Sequence, residues 1–236
     1  MRCALLHGFG GDPAAWEDVI SAWQLPESPI TIALPGHGGG PVQPTWDANL
    51  AAVARMVSGC EAVVGYSLGA RVALGLVANG LVAHGVLIGV NPGVPDAERE
   101  QRRQFDAAWA RLLRTEGIAA FHDAWIAQPL FATQARAPAD RRAARRARRL
   151  ALDPEQLARS LEVMGVAAMP DYWPAISAHR DRIALLAGAD DAKYVALSAS
   201  LPAAFFETIP KSGHDPTLEN PRGLAIAIER AVQRLR

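Results

Sequence analysis

The sequence predicts an α/β fold in which a mostly parallel sheet is flanked by helices on both faces. Short apolar runs such as Cys3-Ala4-Leu5-Leu6 and Ala62-Val63-Val64 are each followed by a turn and then by a helical pattern. Strands that alternate with helices in this way are typical of parallel sheets. With 236 residues, half of them hydrophobic, the chain is long enough for one large domain. We therefore expect a single domain over residues 1–236.

The first ninety residues carry regular signals for each element. The first strand stops at the loop His7-Gly8-Phe9-Gly10-Gly11, and Asp12-Pro13 then supplies an N-cap and a proline at the first helical position. Asn79-Gly80 ends a later helix. The further elements predicted here are a strand over 30–34, a helix over 46–57, a strand over 62–64, a helix over 70–78 and a strand over 85–90.

The sequence pattern changes after Pro92, where long helical patterns that contain many arginines replace the strand signals. This stretch predicts a helical lid inserted over about 94–178. Strands resume over 183–187 and 204–209, and a final helix over 221–236 should pack on the sheet.

Composition limits the classes of partner. The 24 Lys and Arg residues balance 24 Asp and Glu residues, so the overall charge indicates neither a nucleic acid nor a membrane surface as a partner. The two cysteines, Cys3 and Cys60, form no C-x-x-C pattern, and the sequence has no export signal or long apolar run. We expect a cytoplasmic protein with free thiols; the sequence leaves its oligomeric state open.

The sequence indicates neither a metal nor a cofactor. His84, His122 and His179 have no ligand-like spacing, so no metal site is expected. Gly8-x-Gly10 follows a strand, but the third glycine of a dinucleotide fingerprint would fall at Pro13.

The strongest chemical signal is Gly65-Tyr66-Ser67-Leu68-Gly69, a G-x-S-x-G pattern between a strand and a helix. A serine hydroxyl needs a histidine and an orienting acid to react at neutral pH, and in this pattern the chain order is Ser, acid, His. Asp191 follows the strand over 183–187, and His214 follows the next strand. Because the carboxyl ends of parallel strands share one edge, Ser67, Asp191 and His214 are predicted to form a catalytic triad.

Two backbone amides are predicted to complete the site. A loop after the first strand commonly supplies one oxyanion-hole amide, here that of Phe9, and the residue after the nucleophile, Leu68, supplies the other.

The predicted lid contains a very basic segment. Seven arginines lie between residues 134 and 150 against one acid, Asp140. Arginines four, seven or eight residues apart share a helix face, so we expect most to face solvent and at most two to bind carboxylates in a cleft.

These motifs together resemble the α/β-hydrolase fold, and more narrowly the 2-succinyl-6-hydroxy-2,4-cyclohexadiene-1-carboxylate (SHCHC) synthases of menaquinone biosynthesis. The most specific similarity is Tyr66-Ser67-Leu68-Gly69-Ala70-Arg71, because generic esterases rarely need an arginine four residues beyond the nucleophile. Further segments that carry the resemblance are Leu6-His7-Gly8-Phe9, Leu34-Pro35-Gly36-His37-Gly38, Asn91-Pro92-Gly93-Val94, and Gly213-His214 with Glu219-Asn220-Pro221.

The resemblance implies a cofactor-independent lyase that eliminates pyruvate from a small polycarboxylate substrate. It assigns Arg71 as a carboxylate clamp and Arg102 as a lid arginine, with Arg103 a close competitor. It also implies substrate-binding roles for Arg149, Tyr66, Trp125 and Phe131. Met169-Pro170 departs from the Gln-Pro pair that is frequent in the family, so the resemblance does not extend to that polar substrate contact.

Two alternatives stay open at this point. The same triad would serve a hydrolase of small carboxylic esters or thioesters, and the two enzymes differ in their need for Arg71 and the lid arginines. A binding module that has lost turnover is the third possibility, against which the intact set of Ser67, Asp191 and His214 argues.

Overall fold

The computed structural model describes all residues from Met1 to Arg236. Its six strands are β1 (Cys3–Leu6), β2 (Ile30–Ile32), β3 (Ala62–Tyr66), β4 (His84–Ile88), β5 (Ile183–Gly188) and β6 (Phe205–Ile209). They form one sheet in the order β2-β1-β3-β4-β5-β6, and every neighbouring pair is parallel. The predicted fold class is confirmed.

Ten α-helices surround the sheet. They are α1 (Glu17–Ser21), α2 (Trp46–Met56), α3 (Leu68–Ala78), α4 (Asp96–Ile126), α5 (Ala139–Leu150), α6 (Pro154–Met164), α7 (Trp173–Ala178), α8 (Ala192–Ser200), α9 (Pro216–Glu219) and α10 (Pro221–Arg234). Short 3₁₀ helices cover Pro13–Trp16, Pro129–Arg136 and Arg180–Arg182. No helix combines the length and apolarity that a membrane span requires.

The strands divide the core into two layers. Along β1, Ala4 and Leu6 pack with α2 and α3, whereas Cys3 and Leu5 pack with α1 and α10 on the opposite face. Successive side chains of a strand point to opposite faces, so a strand that is apolar throughout needs cover on both sides.

Residues 89–182, between β4 and β5, form what we call the insertion; it contains α4 to α7. Helix α4 is broken at Gly117, whose φ of 79° and ψ of 177° lie outside the helical region. Leu113 and Phe121, on either side of this break, pack with Leu157 and Leu161 of α6 in a small core of their own. The insertion therefore has its own apolar support and places α4 and α5 over the carboxyl edge of the sheet.

Several predicted boundaries were wrong by a few residues. Helix α3 begins at Leu68, directly after Ser67, rather than at residue 70. Strand β4 ends at Ile88 because Gly89 turns the chain with a φ of 60°. The first predicted helix is divided into a 3₁₀ turn over Pro13–Trp16 followed by α1.

Two fully buried histidines support the loops at this edge. Nε2 of His7 accepts a hydrogen bond from the backbone amide of Leu34 at 3.1 Å, so its Nδ1 carries the proton and donates to the Gly8 carbonyl at 2.8 Å. Burial lowers the pKa of His7 to about 4, and burial together with His7 nearby lowers that of His37 to about 3. Both rings are therefore neutral in the folded protein at pH 7.

The folded protein should lose stability in mild acid, because the unfolded chain binds protons at these histidines that the folded chain excludes. Stability is complete above the ordinary pKa of 6.5 and falls as the pH drops toward 4. Between pH 7.5 and 5, His7 alone should lower the free energy of unfolding by about 2 kcal/mol. Urea titrations at the two pH values measure this difference. An equal free energy at both would contradict it, and His7→Asn should reduce the pH dependence.

Candidate active site

Ser67 lies at a strained turn between β3 and α3. Its φ of 53° and ψ of −107° are unusual for a residue with a side chain. A Cβ at Gly65 would collide with the carbonyl of Gly69, and one at Gly69 with the carbonyl of Leu6. The flanking glycines thus let the strand, the turn and the helix approach closely enough to present the Ser67 hydroxyl at the edge of the sheet.

The structure brings Ser67, His214 and Asp191 together in a chain of hydrogen bonds. The Oγ of Ser67 lies 3.2 Å from Nε2 of His214, and Nδ1 of His214 lies 2.8 Å from Oδ2 of Asp191. His214 and Asp191 are buried, and Oδ1 of Asp191 accepts the amide of Tyr194. The carboxylate therefore fixes the ring so that Nε2 can accept the serine proton.

The loop that carries His214 is held by carboxylates on both sides. Glu219 accepts the amides of Gly213 at 2.9 Å and Asp215 at 3.3 Å. The buried Asp215 in turn accepts Nη1 of Arg145 at 3.0 Å, and Nη2 of Arg145 donates to Thr217. Through this ion pair, helix α5 of the insertion is tied to the residue that follows His214.

The amides of Phe9 and Leu68 are available to an anion. Leu68 is the first residue of α3, so its amide has no acceptor within the helix, and the amide of Phe9 makes no hydrogen bond to the protein. The amide of Ser67 is not available, because it donates to the carbonyl of Ile88 at 2.9 Å. The positive end of the α3 dipole lies at the same place.

A cavity of about 520 Å³ opens in front of Ser67 and His214. One wall is aromatic, since the ring of Trp125 lies 5.2 Å from that of Phe9 and 6.0 Å from that of Phe131. Leu68, Arg71 and Arg102 also line the cavity. Its volume is in the usual range for small-molecule sites.

Arg71, the predicted clamp, and Arg102, the predicted lid arginine, both line this cavity but differ in their pairing. Arg71 has no carboxylate within 4.0 Å; its Nη1 donates to the carbonyl of Met164 at 2.6 Å, and burial and then the charge of Arg102 lower its pKa to about 10. Arg102 is paired with Asp106 at 2.9 Å. Arg103 is paired with Glu100 and exposed, so the structure favours Arg102 over its competitor.

Two predicted substrate-binding residues lie outside the large cavity. Tyr66 and Arg149 instead bound a void of about 30 Å³, which Ser67 and Phe131 also line. Tyr66 is buried with its ring 5.5 Å from that of His214, and burial raises its pKa well above the ordinary value. Nε of Arg149 donates to the carbonyl of Gly10 at 2.9 Å, and this bond holds the guanidinium group at the small void.

Sequence reasoning missed the acidic partners of the site. Asp106 is buried beside Arg102, a pairing that the i, i+4 spacing could have indicated. Nothing local indicated that Asp215 would pair with Arg145, since they are 70 residues apart. Within the basic segment only Arg145 and Arg149 are buried; the expectation that at most two of these arginines bind carboxylates in a cleft stays a prediction. No cluster of His, Cys, Asp and Glu that could hold a metal ion occurs in the chain.

The fold and the site together define a class of protein. A sequence model of the alpha/beta hydrolase family matches residues 4–227, and the chain belongs to this family. A thermophilic esterase from Thermogutta terrifontis has the same fold, with a TM-score of 0.79 and 21% identity over 100% of this chain and 90% of that one.

Relatives of higher sequence identity define a narrower group within this family. SHCHC synthases of Escherichia coli O139:H28 (strain E24377A / ETEC) and Shigella boydii serotype 4 (strain Sb227) are 34% identical over 232 residues, which is 94% of this chain and 90% of theirs. The solved structure of MenH from S. aureus has a TM-score of 0.92 and 28% identity, covering 100% of this chain and 94% of that one. This protein is accordingly an enzyme of the SHCHC synthase group.

Removal of Arg145 should destabilise the fold strongly, because Arg145→Met leaves the buried carboxylate of Asp215 without its counter-charge. We expect a loss of about 3 kcal/mol in the free energy of unfolding. The matched control is Arg141→Met on the same helix, which breaks an exposed pair with Asp18 and should cost less than about 1 kcal/mol. Urea denaturation measures both; equal losses would show that the Arg145–Asp215 pair does not anchor α5.

Proposed function

We propose that this enzyme eliminates pyruvate from 2-succinyl-5-enolpyruvyl-6-hydroxy-3-cyclohexene-1-carboxylate to give SHCHC, a step of menaquinone biosynthesis. The observation that carries the proposal is Arg71, a guanidinium without a carboxylate partner in the cavity that Ser67 and His214 face. A half-buried cation of this kind favours an anionic ligand. A substrate with several carboxylates supplies one, whereas a neutral ester would leave Arg71 unpaired.

The triad would act as a base in this reaction. Nε2 of His214, with its ring held by Asp191, accepts the hydroxyl proton of Ser67, and the Ser67 oxygen removes a carbon-bound proton from the substrate. The electron pair of the broken C–H bond forms a new ring double bond, the existing ring double bond shifts by one carbon toward the enolpyruvyl-bearing carbon, and the C–O bond to the enolpyruvyl group breaks. The expelled enolpyruvate takes up a proton and becomes pyruvate, so the elimination needs neither an oxidant nor a metal.

The amides of Phe9 and Leu68 would stabilise the negative charge that develops on a substrate oxygen during proton removal. General-base catalysis typically contributes about 10² to 10⁴-fold, and oriented hydrogen-bond donors contribute much of the rest. Arg71 and Lys193 line the cavity without a carboxylate within 4.0 Å and would hold substrate carboxylates. Trp125 and Phe131 would cover the ring, and Arg102 would bind once its pair with Asp106 is shared or exchanged.

The positions of Tyr66 and Arg149 suggest a supporting role for both in this conformation. Each borders the small void beside Ser67 and not the large cavity. We propose that Arg149 contributes positive charge behind the serine and contacts substrate only if Phe131 moves.

Hydrolysis of small esters or thioesters is the competing function. The contact between Ser67 and His214, together with free amides at Phe9 and Leu68, would also suit attack on a carbonyl carbon and stabilisation of the resulting oxyanion. The two functions differ in what Arg71 contributes, because only the lyase substrate must carry carboxylates.

Pyruvate release from the enolpyruvyl substrate tests the proposal. Arg71→Met should lower kcat/KM by roughly 10- to 150-fold, the effect of losing one charge-assisted hydrogen bond. The matched control Arg55→Met replaces an exposed arginine of α2 and should leave kcat/KM unchanged. Ser67→Ala should abolish turnover.

A coupled lactate dehydrogenase assay records the release. No pyruvate from the unmodified enzyme, combined with Ser67-dependent cleavage of p-nitrophenyl esters, would favour the hydrolase. Equal kcat/KM values for Arg71→Met and Arg55→Met would exclude Arg71 as a clamp.

A further inference from the structure

A second cavity, of about 510 Å³, lies on the α5 side of the insertion and shares only Phe131 with the large cavity. We call it the arginine cavity. Four of its 14 lining residues are arginines of α5, namely Arg142, Arg145, Arg146 and Arg149, and no aspartate or glutamate lines it. Nothing in the proposed elimination uses this space.

The helical period explains why these four arginines converge. They occupy positions i, i+3, i+4 and i+7 of α5, which form one face of a helix. Arg141 and Arg148 leave that face and pair with Asp18 and Asp12, each at 3.0 Å. In α5, Arg141 and Arg148 therefore pair with acidic residues near the N-terminus of the chain, whereas the other four arginines line the cavity.

Two of the cavity arginines have no acidic partner. Arg145 is paired with Asp215 at 3.0 Å and Arg146 lies 3.7 Å from Asp123, but Arg142 and Arg149 have no carboxylate within 4.0 Å. Nε of Arg142 donates only to the carbonyl of Ala137.

Of these two arginines, Arg149 has the larger desolvation cost, because only 8% of its surface is exposed. Its Nε donates to the carbonyl of Gly10, and its Nη1 lies 3.4 Å from Nδ1 of His122. Burial, and then the charges of Arg149 and Arg146, lower the pKa of His122 to about 4, so the imidazole stays neutral. Nε of the buried Arg145 also lacks a partner. A buried guanidinium without a counter-charge is unfavourable unless an anion binds it.

The rest of the lining is apolar. Eight of the 14 lining residues are hydrophobic, and five of these are alanines, which leave room for a ligand. Ile126, exposed by 38%, and Phe131 form the larger apolar surfaces. The cavity therefore combines unpaired positive charge with an apolar wall.

We infer that the arginine cavity is a second binding site, separate from the catalytic cavity, for an amphipathic carboxylate: an acid head group on a hydrocarbon body. The head group would pair with Arg142 and Arg149, and the hydrocarbon body would cover Ile126 and the alanines. Phe131 and Arg149 also border the void beside Ser67. The side chains of these two residues would therefore lie between the ligand and Ser67.

Calorimetric titration of the full chain with octanoate tests this site. Arg142→Gln removes one of the two arginines that would hold the head group and should weaken octanoate binding at least 10-fold. Ala143→Phe, which fills the cavity without changing charge, should weaken it to a similar extent. Circular dichroism verifies that each variant is folded.

Three controls separate the outcomes. Arg71→Gln alters only the catalytic cavity, and Arg55→Gln/Arg111→Gln removes two exposed arginines elsewhere; octanoate should bind both as it binds the unmodified chain. Octan-1-ol, which lacks the charge, should bind much more weakly. The inference is overturned if octanoate shows no saturable binding up to 10 mM (about 3 kcal/mol), if octanol binds equally well, or if Arg71→Gln alone abolishes binding.

Discussion

The hydrogen bond between Nδ1 of His214 and Oδ2 of Asp191 is the interaction on which the site depends, because it fixes both the orientation of the ring and the position of its proton. Two separate strands deliver the two residues, and the parallel sheet sets their separation. With the ring held, Nε2 can only face Ser67, whose strained turn keeps the hydroxyl at the sheet edge. Glu219 then holds the loop of His214 by accepting the amides of Gly213 and Asp215.

Helix α5 of the insertion is joined to this frame by ion pairs, whereas Met164, Val166 and Ile176 of the insertion pack into the main core. Helix α5 contributes Arg141, Arg145 and Arg148 to ion pairs with the core, so the most basic segment of a neutral chain works partly as a docking surface. The buried pair of Arg145 and Asp215 has the most consequence, since it joins α5 to the residue next to His214. In the same region the aromatic side chains of Trp125 and Phe131 line the cavity in front of Ser67. Movement of the insertion would therefore change the position of the His214 loop and of the aromatic wall of the cavity together.

Much of the fold, and the meeting of Ser67, Asp191 and His214, could be predicted from the sequence for one physical reason. Parallel strands carry whatever follows their carboxyl ends to the same edge, so local signals were enough to place these residues near each other. Arg102 could be placed in the cavity only through a family resemblance. The burial of Arg145 and Arg149 could not be predicted, because helical spacing tells which arginines share a face but not which face meets the core. That choice depends on contacts with Asp215 and Gly10, far away in the chain.

We propose that Ser67 acts as a base toward carbon and not as a nucleophile toward a carbonyl group. The most direct measurement is the rate of pyruvate release in a single turnover, compared between the ordinary substrate and one deuterated at the carbon that loses its proton. If Ser67 removes that proton as the C–O bond breaks, the deuterated substrate will release pyruvate more slowly. Equal rates, together with a covalent adduct on Ser67 in the quenched enzyme, would contradict the account.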